Sequence, residues 1–221
     1  MVAAMTVGVI VGMTSEAALI PPGPKLACAG AVPARAESLA QALLDQGAHA
    51  LISIGIAGGL DPALEPGAVV VGSGVHVDGA VVACDGAWAS RLLSVIPFSR
   101  AGLVFGADRV IGGTEAKHRL FTDHGAVIVD MESGAVARVA ARAGIPLAVL
   151  RTVADPASRS LPRAAMAALD EDGNPRIGAV LAGLARRPWE LAGLIRVGLD
   201  SRAALSALRD SLKIVGPTLG V

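Results

Sequence analysis

The chain has 221 residues, 53% of them hydrophobic, enough to build a large core, while nineteen basic residues balance nineteen acidic ones and leave no net field to gather nucleic acid. Three Phe, two Trp and no Tyr supply almost none of the stacking surface that single-strand binders use. Cys28 and Cys84 lie in apolar or Gly-rich surroundings that suit reduced thiols better than a disulfide or a metal site. No uncharged apolar run reaches the roughly 18 residues of a membrane span. The start, MVAAMTVGVIVG, has no basic residue ahead of it and reads as a buried first strand rather than a signal peptide. The expectation is one domain over 1–221, cytoplasmic, with a mainly helical C-terminal region from about 160.

In chain order, Val7–Val11 is a continuous apolar run suited to a strand buried on both faces. It ends in Gly12-Met13-Thr14-Ser15-Glu16 before an apolar turn of helix, which makes Glu16 either a ligand-facing acid or a first-turn capping residue. After a Pro/Gly turn, Leu26–Ala29 is a short strand and Ala36–Gln46 a helix closed by Gly47. Arg35 stands near that helix's first turn, where a cation is either solvated or matched to a bound anion. Ala50–Ile54 is a further buried strand, followed by Gly55-Ile56-Ala57-Gly58-Gly59-Leu60, which reads as a tight turn or as a nest of N–H groups for an anion. Neither the dinucleotide nor the phosphate-loop spacing is present.

Ala68–Val71 and Gly74–Val77 fit one bent strand, Asp85–Ile96 a helix, and Leu103–Phe105 a strand leading into a 106–113 loop of the kind that covers ligands. Glu115–Phe121 reads as a short helix with Lys117 and Arg119 solvated. The four histidines fall at no metal-ligand spacing, and no metal is expected.

The segment 126–158 carries the most information. Two apolar runs, Ala126–Val129 and Leu147–Val153, flank a helix with Ser133 as N-cap, Gly144 as C-cap and Pro146 just beyond. Strand, helix, strand implies parallel neighbours with a right-handed crossover, so Glu132 and Asp155 should face one crevice at the sheet edge. The plainer reading is two solvated loop acids. Pro156 favours an extended exit for Asp155. Beyond Ser158 the pattern is helical over Leu161–Leu169, Arg176–Ala185 and Pro188–Leu212. The last region sets Trp189, Leu191, Ile195 and Leu199 among Arg186, Arg187, Arg196 and Arg202, an amphipathic pattern that packs on its own sheet or, over 186–202, rests on a membrane surface.

Together GVIVGMTSEA (8–17), GIAGGL (55–60), VDMESGAVA (129–137) and RTVADPA (151–157) resemble the purine nucleoside phosphorylase superfamily, most closely its methylthioadenosine/S-adenosylhomocysteine nucleosidase branch. CAGAVPARA (28–36) and the short link from Glu16 to Gly30 make the chain most similar to the hopanoid-associated phosphorylases. The resemblance implies a three-layer α/β/α sandwich about a mixed, mostly parallel twisted sheet, and release of adenine from adenosylhopane in hopanoid biosynthesis. It implies no cofactor, with inorganic phosphate as co-substrate if the enzyme is a phosphorylase. By the same resemblance Glu132 holds the ribose hydroxyls beside Met131, Asp155 protonates the purine at N7, and Glu16 activates the attacking water. Arg151, Ala57, Gly58 and Val110 would complete the substrate contacts, and Arg35 with Gly55 would serve a phosphate.

The chemistry is coherent on its own terms: an N-glycosidic bond breaks through an oxocarbenium-like state, so one acid should neutralise the departing base while an ionised one favours the cationic sugar. The chain departs from the pattern at Ala154, where Ser usually precedes the acid, at Arg109 and Val110, where an aromatic covers adenine, and at Ile56, often a small hydroxyl residue. Retained Glu16 and apolar Ile56 favour hydrolysis over phosphorolysis. A nucleoside-binding protein without turnover, a methylthioadenosine/S-adenosylhomocysteine nucleosidase and a peripheral membrane scaffold stay open, and a homodimer is expected.

Overall fold

A computed structural model describes residues 5–166 and 177–221. Eight strands are described: β1 (Val7–Val11), β2 (Lys25–Cys28), β3 (Ala50–Gly59), β4 (Val69–Val77), β5 (Ala80–Ala83), β6 (Arg100–Gly106), β7 (Ala126–Asp130) and β8 (Leu147–Asp155). Between them run α1 (Thr14–Ala17), α2 (Pro33–Asp45), α3 (Gly86–Val95), α4 (Thr114–His124) and α5 (Ser133–Ala143), and after β8 come α6 (Arg163–Met166), α7 (Ile177–Arg186) and α8 (Leu191–Val215). The expected helices over 161–169 and 176–185 correspond to α6 and α7, and their stretch across 167–176 lies outside the described residues.

The result is an α/β fold on a central mixed sheet with helices on both faces. Strand β3 organises it. It pairs in parallel with β1 and β8 and antiparallel with β7, while β8 pairs with β4, β4 with β6 and β6 with β7. These ladders close a ring, β3-β8-β4-β6-β7, from which β1 and β2 extend to one side. The expectation that β7 and β8 are parallel neighbours is therefore corrected: β3 lies between them and runs with one and against the other.

The glycine run after Ile54 is likewise part of the strand rather than a turn or anion nest. It joins ladders on both sides, Gly58 standing opposite Val129 on one and Asp155 on the other. A side chain at Gly58 would come within 3.2 Å of Val129 Cγ1, so the small residue lets β7 and β8 approach from both flanks.

Buried strands supply two apolar layers, as alternation of side chains across a sheet requires. One joins Ile10, Leu51, Val104 and Ile128 to α2 and α5; the other joins Ile52, Ile54 and Leu150 to Trp88 and Leu92 of α3 and Leu208 and Leu212 of α8. Gly144 ends α5 at φ 63°, the left-handed C-cap conformation expected of it. Strand β5 was not anticipated, although Asp78-Gly79, both at positive φ between β4 and β5, is a strong hairpin signal.

Helix α8 divides along its length. Its second half packs on the sheet through Ala204, Leu208 and Leu212, as expected of an amphipathic helix, and Thr152 Oγ1 donates to Ala204 O at 3.0 Å. Near its start, Trp189, Leu191, Ile195 and Leu199 remain 75%, 48%, 57% and 61% exposed, so the sheet does not cover them. Among the described residues no helix is long and apolar enough to cross a membrane.

Candidate active site

The strand ends place three carboxylates around one cavity. Glu16 leaves β1 through the Gly12-Met13 turn and folds back on it. Its Oε2 accepts the N–H groups of Gly12 and Met13 at 2.8 and 2.9 Å, and its Oε1 accepts that of Ile56 at 2.8 Å. The side chain is buried, and burial raises its pKa against the pull of Arg151 and these three bonds. Glu16 thus caps a first turn and also lines the cavity.

Glu132 follows β7 and is buried as well. It is itself the N-cap residue of α5, with Ser133 as the first helical residue, which corrects the expected cap. The capping work falls to Asp130: its Oδ1 accepts the N–H groups of Glu132 and Ser133, and its Oδ2 accepts the Ser133 hydroxyl. An acid can serve from two residues before the N-cap because the strand exit turns its carboxylate back toward the first free N–H groups.

Arg151, from the middle of β8, is the cation beneath this cluster. Its Nη2 donates to Ser53 Oγ at 2.6 Å and to Glu132 Oε2 at 3.1 Å, Nη1 donates to Ile56 O at 3.2 Å, and Nε lies 2.8 Å from Asp130 Oδ2 as a charge contact without an aligned N–H. Glycines make the space. A Cβ at Gly55 would sit 2.5 Å from Arg151 Nη1 and 2.6 Å from Glu16 Oε1, and one at Gly12 would sit 2.5 Å from Glu132 Oε1. Gly55, expected at a phosphate, instead leaves the space that Arg151 Nη1 and Glu16 Oε1 occupy, and Arg151 braces the acids from below rather than lining the cavity.

Three carboxylates against one guanidinium leave excess negative charge out of water. Burial, with Asp130 and Glu16 adding to it and Arg151 opposing, pushes the Glu132 carboxyl up to about 7. The folded protein then holds a proton on Glu132 between pH 4.5 and 7 that the unfolded chain has released, so this residue's contribution to stability falls as pH rises across that window. Glu132→Gln removes the penalty and leaves Arg151 paired with Asp130. In thermal melts the variant is expected to match the native protein at pH 5 and to melt higher at pH 8; a lower melting temperature at pH 8 would show that the Arg151 contact outweighs the burial cost.

Asp155, at the end of β8, meets a partner that the sequence did not suggest. Lys117 of α4, expected in solvent, is fully buried with Nζ 2.6 Å from Asp155 Oδ2, and it donates to Pro156 O at 2.9 Å and Arg159 O at 3.0 Å. Arg119, two residues on, is exposed and pairs with the exposed Glu115 at 3.6 Å, as a solvated charge should. Burial raises the Asp155 carboxyl and lowers the Lys117 ammonium, each opposed by the other's charge.

The cavity between these groups has a volume of about 340 Å³, in the range of small-molecule pockets. Glu16, Met131, Glu132 and Asp155 line it with Ala57 and Gly58 of β3. The 106–113 loop contributes Arg109, Val110 and Ile111, and Leu161, Ala165, Val197 and Ser201 line it from the C-terminal region. Arg35 does not: it is exposed on the first turn of α2, close enough to influence the Cys28 thiol. Among the described residues no group of His, Cys, Asp and Glu could hold a metal.

Comparison with known proteins bears on the family and the fold. Residues 9–186 match the family model described as the phosphorylase superfamily. A comparison with curated protein sequences finds no match. Among solved structures, the fold is similar to S-adenosylhomocysteine nucleosidase from Streptococcus pyogenes in complex with 5-methylthiotubericidin, at 17% identity over 97% of this chain and 98% of that one, TM-score 0.67. It is similar to 5'-methylthioadenosine/S-adenosylhomocysteine nucleosidase from Neisseria meningitidis, at 20% identity over 94% and 99%, TM-score 0.64. Futalosine hydrolase of Helicobacter pylori strain 26695 is similar at 16% identity over 95% and 99%, TM-score 0.64. At these identities the likeness is one of fold.

Proposed function

The chain belongs to the phosphorylase superfamily, and from that premise we propose that it hydrolyses the N-glycosidic bond of an adenine nucleoside carrying a bulky apolar 5′ substituent, with adenosylhopane as the substrate and adenine as the released base. Family and fold neighbours support N-glycosidic cleavage of an adenine nucleoside. The observation that carries hydrolysis is the state of Glu16. The N–H groups of Gly12, Met13 and Ile56, which a phosphate would need, already hold its carboxylate. An internal carboxylate thus takes the place of an anionic co-substrate, and its raised pKa suits a base that accepts a proton from water.

In this reading Glu132, with Met131 beside it, holds the ribose hydroxyls, and above about pH 7, where it is ionised, its negative charge favours the cationic sugar. Asp155 gives a proton to N7 as the bonding pair passes to the base, and Glu16 takes a proton from the attacking water. Val110, Ile111, Leu161 and Val197 give the cavity an apolar lining suited to a hydrocarbon 5′ group. The test is adenine release, followed by chromatography, from adenosine, methylthioadenosine and adenosylhopane with and without phosphate. Phosphate-independent release, fastest from the apolar nucleoside, supports the proposal. A ribose 1-phosphate product overturns hydrolysis, and no release from any of the three favours a binding protein.

A lipid-linked substrate also gives the exposed stripe of Trp189, Leu191, Ile195 and Leu199 a use. With Arg186, Arg196 and Arg202 exposed around it, this stretch suits peripheral contact with an anionic membrane. The protein is expected to sediment with anionic phospholipid vesicles at low salt, and Ile195→Asp should release it. A protein that stays in the supernatant has no such contact.

A further inference from the structure

Lys117 is buried, charged and attached to the one carboxylate whose protonation the proposed chemistry needs. Its ammonium has three N–H groups and three acceptors: Asp155 Oδ2 at 2.6 Å, Pro156 O at 2.9 Å and Arg159 O at 3.0 Å. Such a site is costly. Moving an ammonium out of water carries a desolvation penalty even after relaxation, and a helix-surface lysine elsewhere on α4 would have avoided it. A carboxylate against an ammonium is also the wrong form for donating to a ring nitrogen, since the pair's attraction holds Asp155 ionised.

We propose that Lys117 is the positioning residue that keeps Asp155 supplied with its proton: the two share one transferable proton, which lies on Asp155 when a purine is bound. In that form Lys117 is a neutral amine. It keeps two N–H donors for the carbonyls of Pro156 and Arg159 while its lone pair faces Asp155, so the proton shift leaves no backbone acceptor unmatched. When the C–N bond breaks, its electron pair passes to the purine and the Asp155 proton goes to N7. The water that attacks the sugar loses a proton to Glu16; after the base departs Glu16 releases that proton to solvent and the Lys117-Asp155 pair takes one back. Water and nucleoside become free sugar and neutral adenine, which carries the N7 proton in place of its bond to the sugar, with nothing else consumed. Desolvation acts in the same direction, since it raises the acid and lowers the amine and so favours the neutral pair. Lys117 also fills the role left open at Ala154, which has no hydroxyl with which to orient the acid.

The inference rests on Asp155 being the acid at N7, and the test separates the two. The rate of adenine release, as kcat/KM against pH, would be measured for the native protein, Asp155→Asn, Lys117→Met and Lys117→Arg. In the native protein the rate holds until the pair loses its last proton. In Lys117→Met the acid stands alone, so the alkaline limb is expected to move down by a unit or more. Lys117→Arg keeps the charge, but a guanidinium does not give up its proton, so Asp155 stays ionised and the rate should fall about 10²-fold across the profile, within the range for a general acid. If both variants keep the native alkaline limb, Lys117 is a structural charge and the inference fails while the functional reading stands. If Asp155→Asn retains native turnover, the acid is elsewhere and both fail. Should the methionine variant not fold, as judged by thermal melting and by calorimetric binding of adenine, the arginine variant alone decides: a native rate with a native limb overturns the proposal.

Discussion

Asp155→Asn is expected to slow adenine release by about 10²–10⁴-fold, the usual worth of a positioned general acid. An amide has nearly the size of a carboxyl group and can still accept a hydrogen bond from Lys117, so the end of β8 and the cavity should keep their shape. It has no proton acidic enough to pass to N7. The loss should therefore lie in kcat while adenine binding, measured by calorimetry, changes much less. A variant that loses binding and rate together would place Asp155 among the residues that hold the base rather than those that expel it.

The second large effect concerns stability. Arg151→Met leaves Glu16, Asp130 and Glu132 buried together without their cation, and breaking a buried charge cluster in this way typically costs about 3–5 kcal/mol. That is a large share of the net stability of most domains. The loss should be greatest at pH 8, where the acids are driven to ionise, and smaller at pH 5, where protons replace the missing guanidinium. Denaturant unfolding at the two pH values measures it. Equal losses at both would mean that Arg151 matters through packing and through Ser53, not through its charge.

The contrast between these residues explains how much was legible in the sequence. Apolar runs fixed most strands because their side chains must leave water whatever lies beside them, and Val7–Val11 and Leu147–Asp155 are buried along nearly their whole length. Glu132 and Asp155 were rightly expected to face one space, but for the wrong reason. Their strands are not neighbours, and they meet because β3 runs between them. That strand's second half was hidden by composition. Glycines after an apolar run read as a loop, whereas here they make room for Arg151 and Glu16, contacts set by residues 96 and 39 positions from Gly55. Lys117 was hidden in another way. A lysine beside Glu115 and Arg119 on a polar helix is indistinguishable from its solvated neighbours until Asp155, far along the chain, is brought against it. The acids carried a local signal; the cations that control them did not.

The ring formed by β3, β8, β4, β6 and β7 has a consequence for how the molecule comes into being. A ring has no free edge, so its final seam must close between segments remote in sequence: Leu51 pairs with Leu147, ninety-six positions on, and Gly58 with Val129. Such long-range pairing folds slowly, because loop entropy is lost before contacts repay it. Glu132 and Asp155 sit at the ends of the two strands that meet β3 along that seam. A chain still closing its ring has neither acid in place, and a nucleoside that bridges them would act as a clasp, slowing the opening of the same seam that forms last.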